Sequence, residues 1–284
     1  MSAGSLSTRT ERPVSGGSPR AHQVVAALVA RDWRITRSYR TALITDLGFG
    51  MLNLVAYYYI SKTLKPDLHS GLDGAPTYFA FAAVGVSLTV VLQAAITGVS
   101  RRLREEQLTG TLEALLVQPL SAPELAAGLA GFPFLFAVVR ALLYLLLAGV
   151  FLGLSFARCD WVGLIVSFLA SGVAFAGLGV LLAALVLVFK RADAVGSLGT
   201  FALSLVGGAF FPVSVLPHWL RPLSVVAPTR YAFGAVRAAL FDHGSWAAPV
   251  GELLAIGVVT TTVALVLFGQ ALRLAVRHGT INQY

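Results

Sequence analysis

The chain has 284 residues, of which 57% are hydrophobic and 12% are charged, and its formal net charge is +8 at pH 7. Soluble domains carry about 25% charged residues, so this composition argues against a water-soluble globular protein. The chain has one cysteine, Cys159, which excludes an internal disulfide.

The first twenty residues differ from the rest of the chain. Residues 1–20 are rich in Ser, Gly, Arg and Pro and contain almost no apolar side chains. This composition predicts a disordered tail on the cytoplasmic side. No apolar stretch follows before Val24, so the segment is not expected to be a signal peptide.

The next twenty residues are predicted to form an amphipathic helix. Within residues 21–40, Leu28 and Val29 fall on one helical face, whereas Arg31 and Arg34 fall on another. A basic helix with an apolar face is typical of the membrane interface, where its arginines reach lipid phosphates. A plain cytosolic lead-in is the alternative.

Six apolar segments then follow, each long enough for a helix to cross a bilayer, which takes about 20 residues. We therefore predict an all-α integral membrane fold, with one six-helix transmembrane domain over residues 41–273 and a short cytoplasmic tail over residues 274–284. The predicted spans are about 41–61, 76–99, 122–154, 161–188, 194–212 and 249–272.

Two charged residues lie within predicted spans, Asp46 in the first and Arg140 in the third. Asp46 is close to Arg40, which favours a position beside the cytoplasmic headgroups. Arg140 lies deeper, where a charge in lipid is costly unless it has a partner or a function. A polar path, or pairing of the two residues with each other or with Asn53 or Gln93, is the alternative.

Lysine and arginine are distributed unequally between the two predicted sides of the membrane. The side of the N-terminus holds Arg31, Arg34, Arg37, Arg40, Arg101, Arg102, Arg104, Lys190, Arg191, Arg273 and Arg277. The two short loops opposite hold Lys62, Lys65 and Arg158. Because positive residues favour the cytoplasm, both termini are predicted to be cytoplasmic. Three arginines between spans five and six weaken this asymmetry without reversing it.

Motifs for catalysis are missing from the sequence. There is no G-x-x-x-x-G-K-[ST] string to hold a nucleotide, and the five histidines show no metal-ligand spacing. The chain is therefore not expected to be an enzyme by itself or to bind a metal or cofactor. A membrane-embedded enzyme or a secondary transporter remains an alternative, although the clustered carboxylates or inverted repeats that they need are not seen.

Residues 101–121, between spans two and three, predict a compact charged knob. Arg101 with Glu105 and Arg102 with Glu106 are spaced to pair along a continuation of span two. A second short helix follows with an apolar face that needs a partner. A rigid knob between two membrane helices can transmit a push, and a solvated surface loop is the alternative.

The second piece of this knob has clear boundaries. Gly110 breaks the preceding helix, Thr111 can cap the next one, and Glu113 in its first turn suits the helix dipole. Pro119 ends it.

Residues 207–240 contain four prolines between Phe210 and Asp242, at positions 212, 217, 222 and 228. A straight span through them would lose several backbone hydrogen bonds. Irregular backbone at membrane depth survives only when it is buried in protein or faces water. We therefore predict two short re-entrant helices, starting near Pro217 and Pro228, with an interfacial loop as the alternative.

Both segments resemble the ABC-2 type permeases, the membrane subunits of ABC exporters. Residues 105–121 are similar to the family's cytoplasmic coupling region, and residues 207–240 are similar to its G-x-F-F-P…L-P-x-W-L…P-x-x-Y…R region. Arg230 departs from the neutral residue that many drug-exporting relatives carry there. The resemblance covers nearly the whole chain.

The resemblance implies a half-transporter. Two copies would pair as a homodimer, and two copies of a separate ABC ATPase, which uses ATP and Mg, would dock beneath them. It implies ATPase coupling through Arg101, Arg102, Arg104, Glu105, Glu106, Gly110, Thr111, Glu113, Leu115, Leu116 and Pro119. It implies an outer gate at Phe210, Phe211, Pro212, Pro217, Trp219, Pro228, Tyr231 and Arg237.

Polarity and aromaticity in spans one and five suggest a substrate path at Asn53, Tyr57, Phe201 and Ser204. The expected activity is efflux of an amphipathic drug or natural product across the cell membrane by alternating access. Export of a polysaccharide or glycolipid is the alternative. No nucleic-acid partner is expected.

Overall fold

The computed structural model describes residues 40–64, 72–108, 122–189, 192–242 and 246–277. These residues form helices joined by turns, with no strand in the described ranges. The helices are α1 Arg40–Thr63, α2 Tyr78–Leu108, α3 Ala122–Leu152, α4 Trp161–Phe189, α5 Ala192–Gly207, α6 Arg221–Val226, α7 Pro228–Phe241 and α8 Ala247–Arg277. A 3-10 turn, Val213–Val215, precedes α6.

Four helices contain apolar stretches long enough to cross a membrane. These stretches are Tyr78–Gly98, Pro133–Leu152, Trp161–Leu182 and Ala247–Leu267. The chain is thus a multi-pass helical membrane protein. The helix α1 has 24 residues but carries Arg40, Asp46 and Lys62, which lower its hydropathy. The helix α5 has 16 residues, fewer than the roughly 20 that a perpendicular crossing needs.

The helix α2 lies at the centre of the bundle. It packs against α1, α3, α4, α5 and α7, and Phe81, Leu88 and Leu92 on its inner face are fully buried. The helix α4 packs along α8 and also against α7. The apolar side chains that α4 and α7 bury include Phe168, Phe175, Phe233, Val236 and Leu240.

Large apolar side chains cover the outside of the bundle. On α4 and α8 they include Val162, Val173, Val258 and Val266, each with more than half of its surface exposed. An apolar surface of this extent suits contact with lipid chains rather than with water.

The fifth helix is shorter than the sequence predicted. The predicted span reached residue 212, whereas α5 ends at Gly207. Gly208 adopts a left-handed backbone with φ +82°, and the N–H of Ala209 donates to the Ser204 carbonyl over 2.9 Å. Because glycine enters this conformation without steric cost, it ends the helix here and turns the chain.

Several predicted segments lie outside the described residues. They are the tail over residues 1–20, the amphipathic helix over residues 21–40 except Arg40, the second piece of the knob, and residues 278–284. The first piece of the knob is helical, because α2 continues through residues 101–106 to Leu108. At the other terminus α8 continues to Arg277, into the predicted tail.

Candidate functional site

The candidate site lies where α1, α3 and α5 end and where α2, α4 and α8 begin, and we call this the α6–α7 end of the bundle. Its backbone is shaped by proline. Ala227 is extended, with φ −76° and ψ 119°, because the residue before a proline is disfavoured in helical geometry. Pro228 then occupies the start of α7, where its missing N–H costs nothing. One proline therefore separates two helices.

The longer of these helices, α7, is anchored deep in the bundle. Its inner face buries Ala232, Phe233 and Val236. At its start the Thr229 hydroxyl donates to the Leu203 carbonyl of α5 over 2.9 Å. Helix α7 is therefore a fixed part of the bundle rather than a surface loop.

A buried arginine connects three elements at this end. Arg237 of α7 has 1% of its side chain exposed and forms an ion pair with Asp73, with 3.2 Å between Nη1 and Oδ2. Its Nη2 donates to the Gly208 carbonyl over 2.8 Å, and the guanidinium lies 3.5 Å from the ring centroid of Phe81. Arg237 therefore holds α7 to the start of α2 and to the turn after α5.

The turn after α5 lies unusually close to α2. A Cβ atom added to Gly85 would overlap the carbonyl oxygen of Ala209. Glycine is therefore required at this position so that the two backbones can meet. This contact places Phe210 next to the aromatic residues of α1 and α2.

Aromatic rings fill the space between α1, α2 and the turn after α5. Tyr57 of α1 stacks on Phe210 with centroids 5.9 Å apart and an angle of 12° between the rings. The Tyr78 hydroxyl donates to the Phe210 carbonyl over 3.0 Å, and its ring lies 6.4 Å from that of Tyr57. Tyr57, Tyr78 and Phe210 form what we call the aromatic cluster.

A cavity of about 890 Å³ opens at the same end, between the 3-10 turn, α6, α7 and the start of α8. Its lining carries charges of both signs. The ionisable side chains are Asp73, His218, Arg221, Arg230, Tyr231 and Glu252.

Asp160 links α4 and α8 beside this site. It accepts hydrogen bonds from the Gly163 and Val162 N–H groups, both over 3.0 Å, and from the Trp246 indole over 2.7 Å. The Gly163 bond, the Trp246 bond and then the Val162 bond hold the pKa of Asp160 below its ordinary value. Burial, with a smaller effect from the Asp160 charge, raises the pKa of the neighbouring Cys159 thiol to about 11.

The two charges within predicted spans form a pair. Arg140 of α3 donates to Asp46 of α1, with 2.5 Å between Nη1 and Oδ2, and the Tyr144 hydroxyl donates to the Asp46 carbonyl over 2.9 Å. Pairing was an alternative at the sequence level, and the structure shows it. Asp46 therefore has a partner on a neighbouring helix, and its position beside the cytoplasmic headgroups stays a prediction.

The structure does not bring the four predicted path residues into one contact. Asn53 donates to the Phe49 carbonyl of its own helix over 3.1 Å, and Phe201 is 59% exposed. Ser204 is buried, with its hydroxyl 3.4 Å from that of Thr89. No hydrogen bond or ring contact joins any two of the four, all of which lie in described ranges. Only Tyr57 reaches the aromatic cluster.

The eight predicted gate residues all lie at the α6–α7 end. Phe210, Phe211 and Pro212 form the turn after α5, whereas Pro217 and Trp219 lie between the 3-10 turn and α6. Trp219 is 74% exposed. Pro228, Tyr231 and Arg237 belong to α7. The Tyr231 hydroxyl donates to the Val225 carbonyl over 2.9 Å, which ties α7 to α6.

The sequence did not indicate which residues Arg237 contacts. Asp73 is 164 positions from Arg237, and Phe81 is 156 positions away. Asp73 could be recognised as a charge in a short loop, but nothing local indicates its partner. Glu252 and the cavity around it also carried no sequence signal. Among the described residues, no group of three or more His, Cys, Asp or Glu could hold a metal ion.

The family model for the ABC-2 type transporter matches residues 23–241 of the chain. The match extends from the predicted amphipathic helix to the last residue of α7, so it includes the aromatic cluster, Arg237 and the turn after α5. A comparison with curated proteins gave no match.

Proposed function

We propose that this chain, which belongs to the ABC-2 type transporter family, is the membrane subunit of an ATP-driven exporter. Family membership makes it a transport permease in a membrane. Our proposal adds that two copies pair, that two copies of a separate ABC ATPase drive them with ATP and Mg, and that an amphipathic small molecule is moved out of the cell.

Charge supports the orientation that export requires. The end of α2 carries Arg101, Arg102 and Arg104, and the end of α8 carries Arg273 and Arg277. By the positive-inside rule these ends are cytoplasmic. The α6–α7 end then faces outward. With α1 and α5 counted as crossings, the chain has six spans, and α6 and α7 lie in the outer leaflet.

The stacked contact between Tyr57 and Phe210 carries the proposal. Tyr57 belongs to α1, and Phe210 follows α5 directly, so any movement of α1 relative to α5 must change this contact. Asn53 lies one helical turn before Tyr57 on α1 and is exposed. Phe201 on α5 is exposed too. A substrate moving along these faces would leave at the aromatic cluster.

The same exposed faces support the pairing of two copies. On α1 the apolar side chains Ile44, Phe49 and Leu52 are more than 60% exposed, and on α5 so is Leu198. Asn53 on α1 and Phe201 on α5 are exposed on the surface of one copy, so one copy does not enclose them in a path. A second copy facing α1 and α5 would close the path on its open side.

The long helix α2 supplies a mechanical connection between the two ends. Its 31 residues span about 46 Å at 1.5 Å per residue. At one end Tyr78 bonds Phe210 and Phe81 stacks on Arg237. At the other end lie Arg101 to Glu106, next to the predicted knob. A push from the ATPase on the knob would therefore reach the aromatic cluster through one continuous helix.

The lining of the proposed path favours an amphipathic substrate. Asn53, Tyr57, Phe201 and Ser204 carry no charge, and two of them are aromatic. Such a surface suits a ligand with a large apolar part and few polar groups. A polysaccharide or glycolipid is the second candidate, because stacked aromatic rings also bind sugars.

The test is transport into inside-out vesicles that contain the chain together with an ABC ATPase, which is sought among the neighbouring genes. ATP-dependent uptake of amphipathic dyes is expected, with no uptake when the ATPase lacks its catalytic carboxylate. Uptake that follows a proton gradient without the ATPase would instead identify a secondary transporter. A complex that hydrolyses ATP but moves neither dyes nor a lipid-linked glycan would contradict the proposal.

A further inference from the structure

The cavity at the α6–α7 end is separate from the proposed path. Its lining comes from the end of α5, the 3-10 turn, α6, α7 and α8 of one copy. None of the path residues lines it, and neither does Phe210. With a volume of about 890 Å³, it is large enough for the polar head of a lipid-sized molecule.

Two of the charges in this cavity are already satisfied. Arg221 donates from Nε to the Leu216 carbonyl over 3.1 Å and from Nη2 to the Ser214 carbonyl over 2.8 Å. Asp73 is paired with Arg237. Arg221 and Asp73 therefore form part of the cavity wall, and their hydrogen-bonding groups have partners within the protein.

The other two charges have no such partner. Arg230 in the first turn of α7 and Glu252 in the second turn of α8 both line the cavity. Neither forms an ion pair with a residue in the described ranges. Both side chains are exposed, and they form no ion pair with each other. One cation and one anion on two packed helices complement a ligand that carries both signs.

The helix beside the cavity has an apolar outer surface. Leu223, Val225 and Val226 of α6 are each more than half exposed, and Val225 also lines the cavity. Trp219 just before α6 is 74% exposed. A short helix with exposed aliphatic residues and a tryptophan suits the depth where headgroups meet lipid chains. This surface supports a position of the cavity at the level of the lipid headgroups.

Glycine keeps this cavity open. Gly234 lies one turn after Arg230 on α7 and lines the cavity, and a Cβ added there would meet no atom within 4 Å. Its backbone is helical, so a larger side chain would enter the cavity without straining the chain. This position allows the cavity to be filled selectively.

We propose that this cavity binds the head of a zwitterionic amphiphile, with its anionic group on Arg230, its cationic group on Glu252 and its chain along α6. The inference goes beyond the proposed function, because it requires neither the ATPase nor a second copy. The same chemistry fits a phospholipid of the outer leaflet and an exported amphiphile, and the experiment separates these sources.

Binding is measured on the purified full-length chain in detergent by native mass spectrometry. The probes are dihexanoyl-phosphatidylethanolamine, dihexanoyl-phosphatidylglycerol and hexylamine, which carry both charges, the anion alone and the cation alone. We expect the zwitterion to bind tightest. R230Q should lower the affinity for the zwitterionic and the anionic probe about tenfold, because one charge-assisted contact is lost. The affinity for the cationic probe should not change. E252Q should lower the affinity for the zwitterionic and the cationic probe and leave that for the anionic probe unchanged.

A filled cavity provides the steric test. Gly234→Leu should abolish binding of all three probes. Gly251→Leu is its matched control, since Gly251 is a helical glycine with open space around it that does not line the cavity. Equal affinity of the zwitterion for the wild type, R230Q, E252Q and Gly234→Leu would overturn the proposal. So would equal binding of glycerophosphoethanolamine, which lacks chains.

Export by the complex with the ATPase distinguishes an exported amphiphile from a membrane lipid as the source of the ligand. If Gly234→Leu lowers export while binding of the probe is lost, the cavity serves the exported amphiphile. If export is unchanged while binding is lost, it holds a lipid of the membrane. Both results support the site. Failure of export by the wild type would contradict the proposed function and leave the binding result standing.

Discussion

Arg237 and Asp73 form an ion pair across 164 positions of the sequence, with 3.2 Å between Nη1 and Oδ2. The arginine is buried and the aspartate is half exposed, so the pair connects the inside of the bundle with its α6–α7 end. The same guanidinium binds the Gly208 carbonyl and covers Phe81. Arg237 of α7 therefore contacts both α2 and the turn after α5, and it holds the three elements together.

Replacing Arg237 should destabilise the chain strongly. R237A leaves the Gly208 carbonyl without its donor and creates a cavity beside Phe81, at a cost of about 2–5 kcal/mol. D73N should cost less, since asparagine still offers an oxygen to Nη1 and the guanidinium keeps its contacts with the Gly208 carbonyl and Phe81. Thermal unfolding in detergent measures both, with R158Q as a control in another loop. A larger effect of D73N than of R237A would contradict this account.

Enlarging Gly85 should disturb the turn after α5. A Cβ there overlaps the Ala209 carbonyl oxygen, and backbone must move to make room. We expect Gly85→Val to cost about 1–3 kcal/mol in thermal unfolding. Gly48→Val, on α1 with no atom within 4 Å of an added Cβ, is the control for valine in a helix. Equal melting temperatures of the two variants would show that the close contact does not form.

Loss of the Tyr57 ring should open the aromatic cluster. Y57A removes the stack on Phe210, so we expect ATP hydrolysis by the complex to continue while dye retention in vesicles falls. Y57F keeps the ring and should behave as the wild type. In parallel, Y78F tests the hydrogen bond to the Phe210 carbonyl alone. Full retention of dye by Y57A would remove the aromatic cluster from the proposed gate.

Charge reversal in the knob should uncouple the permease from its ATPase. Glu113→Arg places a positive charge where the resemblance implies an ATPase contact, and it should lower permease-stimulated ATP hydrolysis several-fold. Arg158→Glu reverses a charge in the loop before α4, at the opposite end of the bundle, and should leave hydrolysis unchanged. Hydrolysis that is insensitive to Glu113→Arg would count against the knob as the coupling element.

The thiol of Cys159 should react slowly at neutral pH. Its pKa is raised to about 11, so the thiolate fraction at pH 7 is about 300-fold below that of an ordinary cysteine, whose pKa is about 8.5. Maleimide labelling should accelerate about tenfold per pH unit until the pH approaches this pKa. D160N removes a negative neighbour, which lowers the pKa and raises the rate at pH 7. A rate at pH 7 equal to that of the denatured chain would contradict the raised pKa.

Local sequence rules explain much of this molecule. The lengths of the apolar segments were enough to predict a helical membrane protein, because a segment that crosses lipid as a helix forms its backbone hydrogen bonds within itself. Pro228 was enough to predict the start of α7, because proline forces the preceding Ala227 out of helical geometry. The end of α5 was placed five residues too late, since a left-handed Gly208 cannot be told from a helical glycine by sequence.

The contacts that position the site could not be predicted in the same way. Arg237 was identified as a gate residue, but its partners Asp73 and Phe81 lie more than 150 positions away. The Arg140–Asp46 pair was one of several possibilities, since either residue had other polar candidates nearby. The cavity between Arg230 and Glu252 left no trace in the sequence.

The sequence by itself determined that the chain is helical, lies in a membrane and carries a proline-divided segment after the fifth helix. These properties depend on solvation and on backbone geometry within a few residues. Only the tertiary structure decided that Arg237 meets Asp73, that Gly85 admits the Ala209 carbonyl and that Tyr57 stacks on Phe210. Such contacts depend on how whole helices pack, and their energy comes from partners that are distant along the chain.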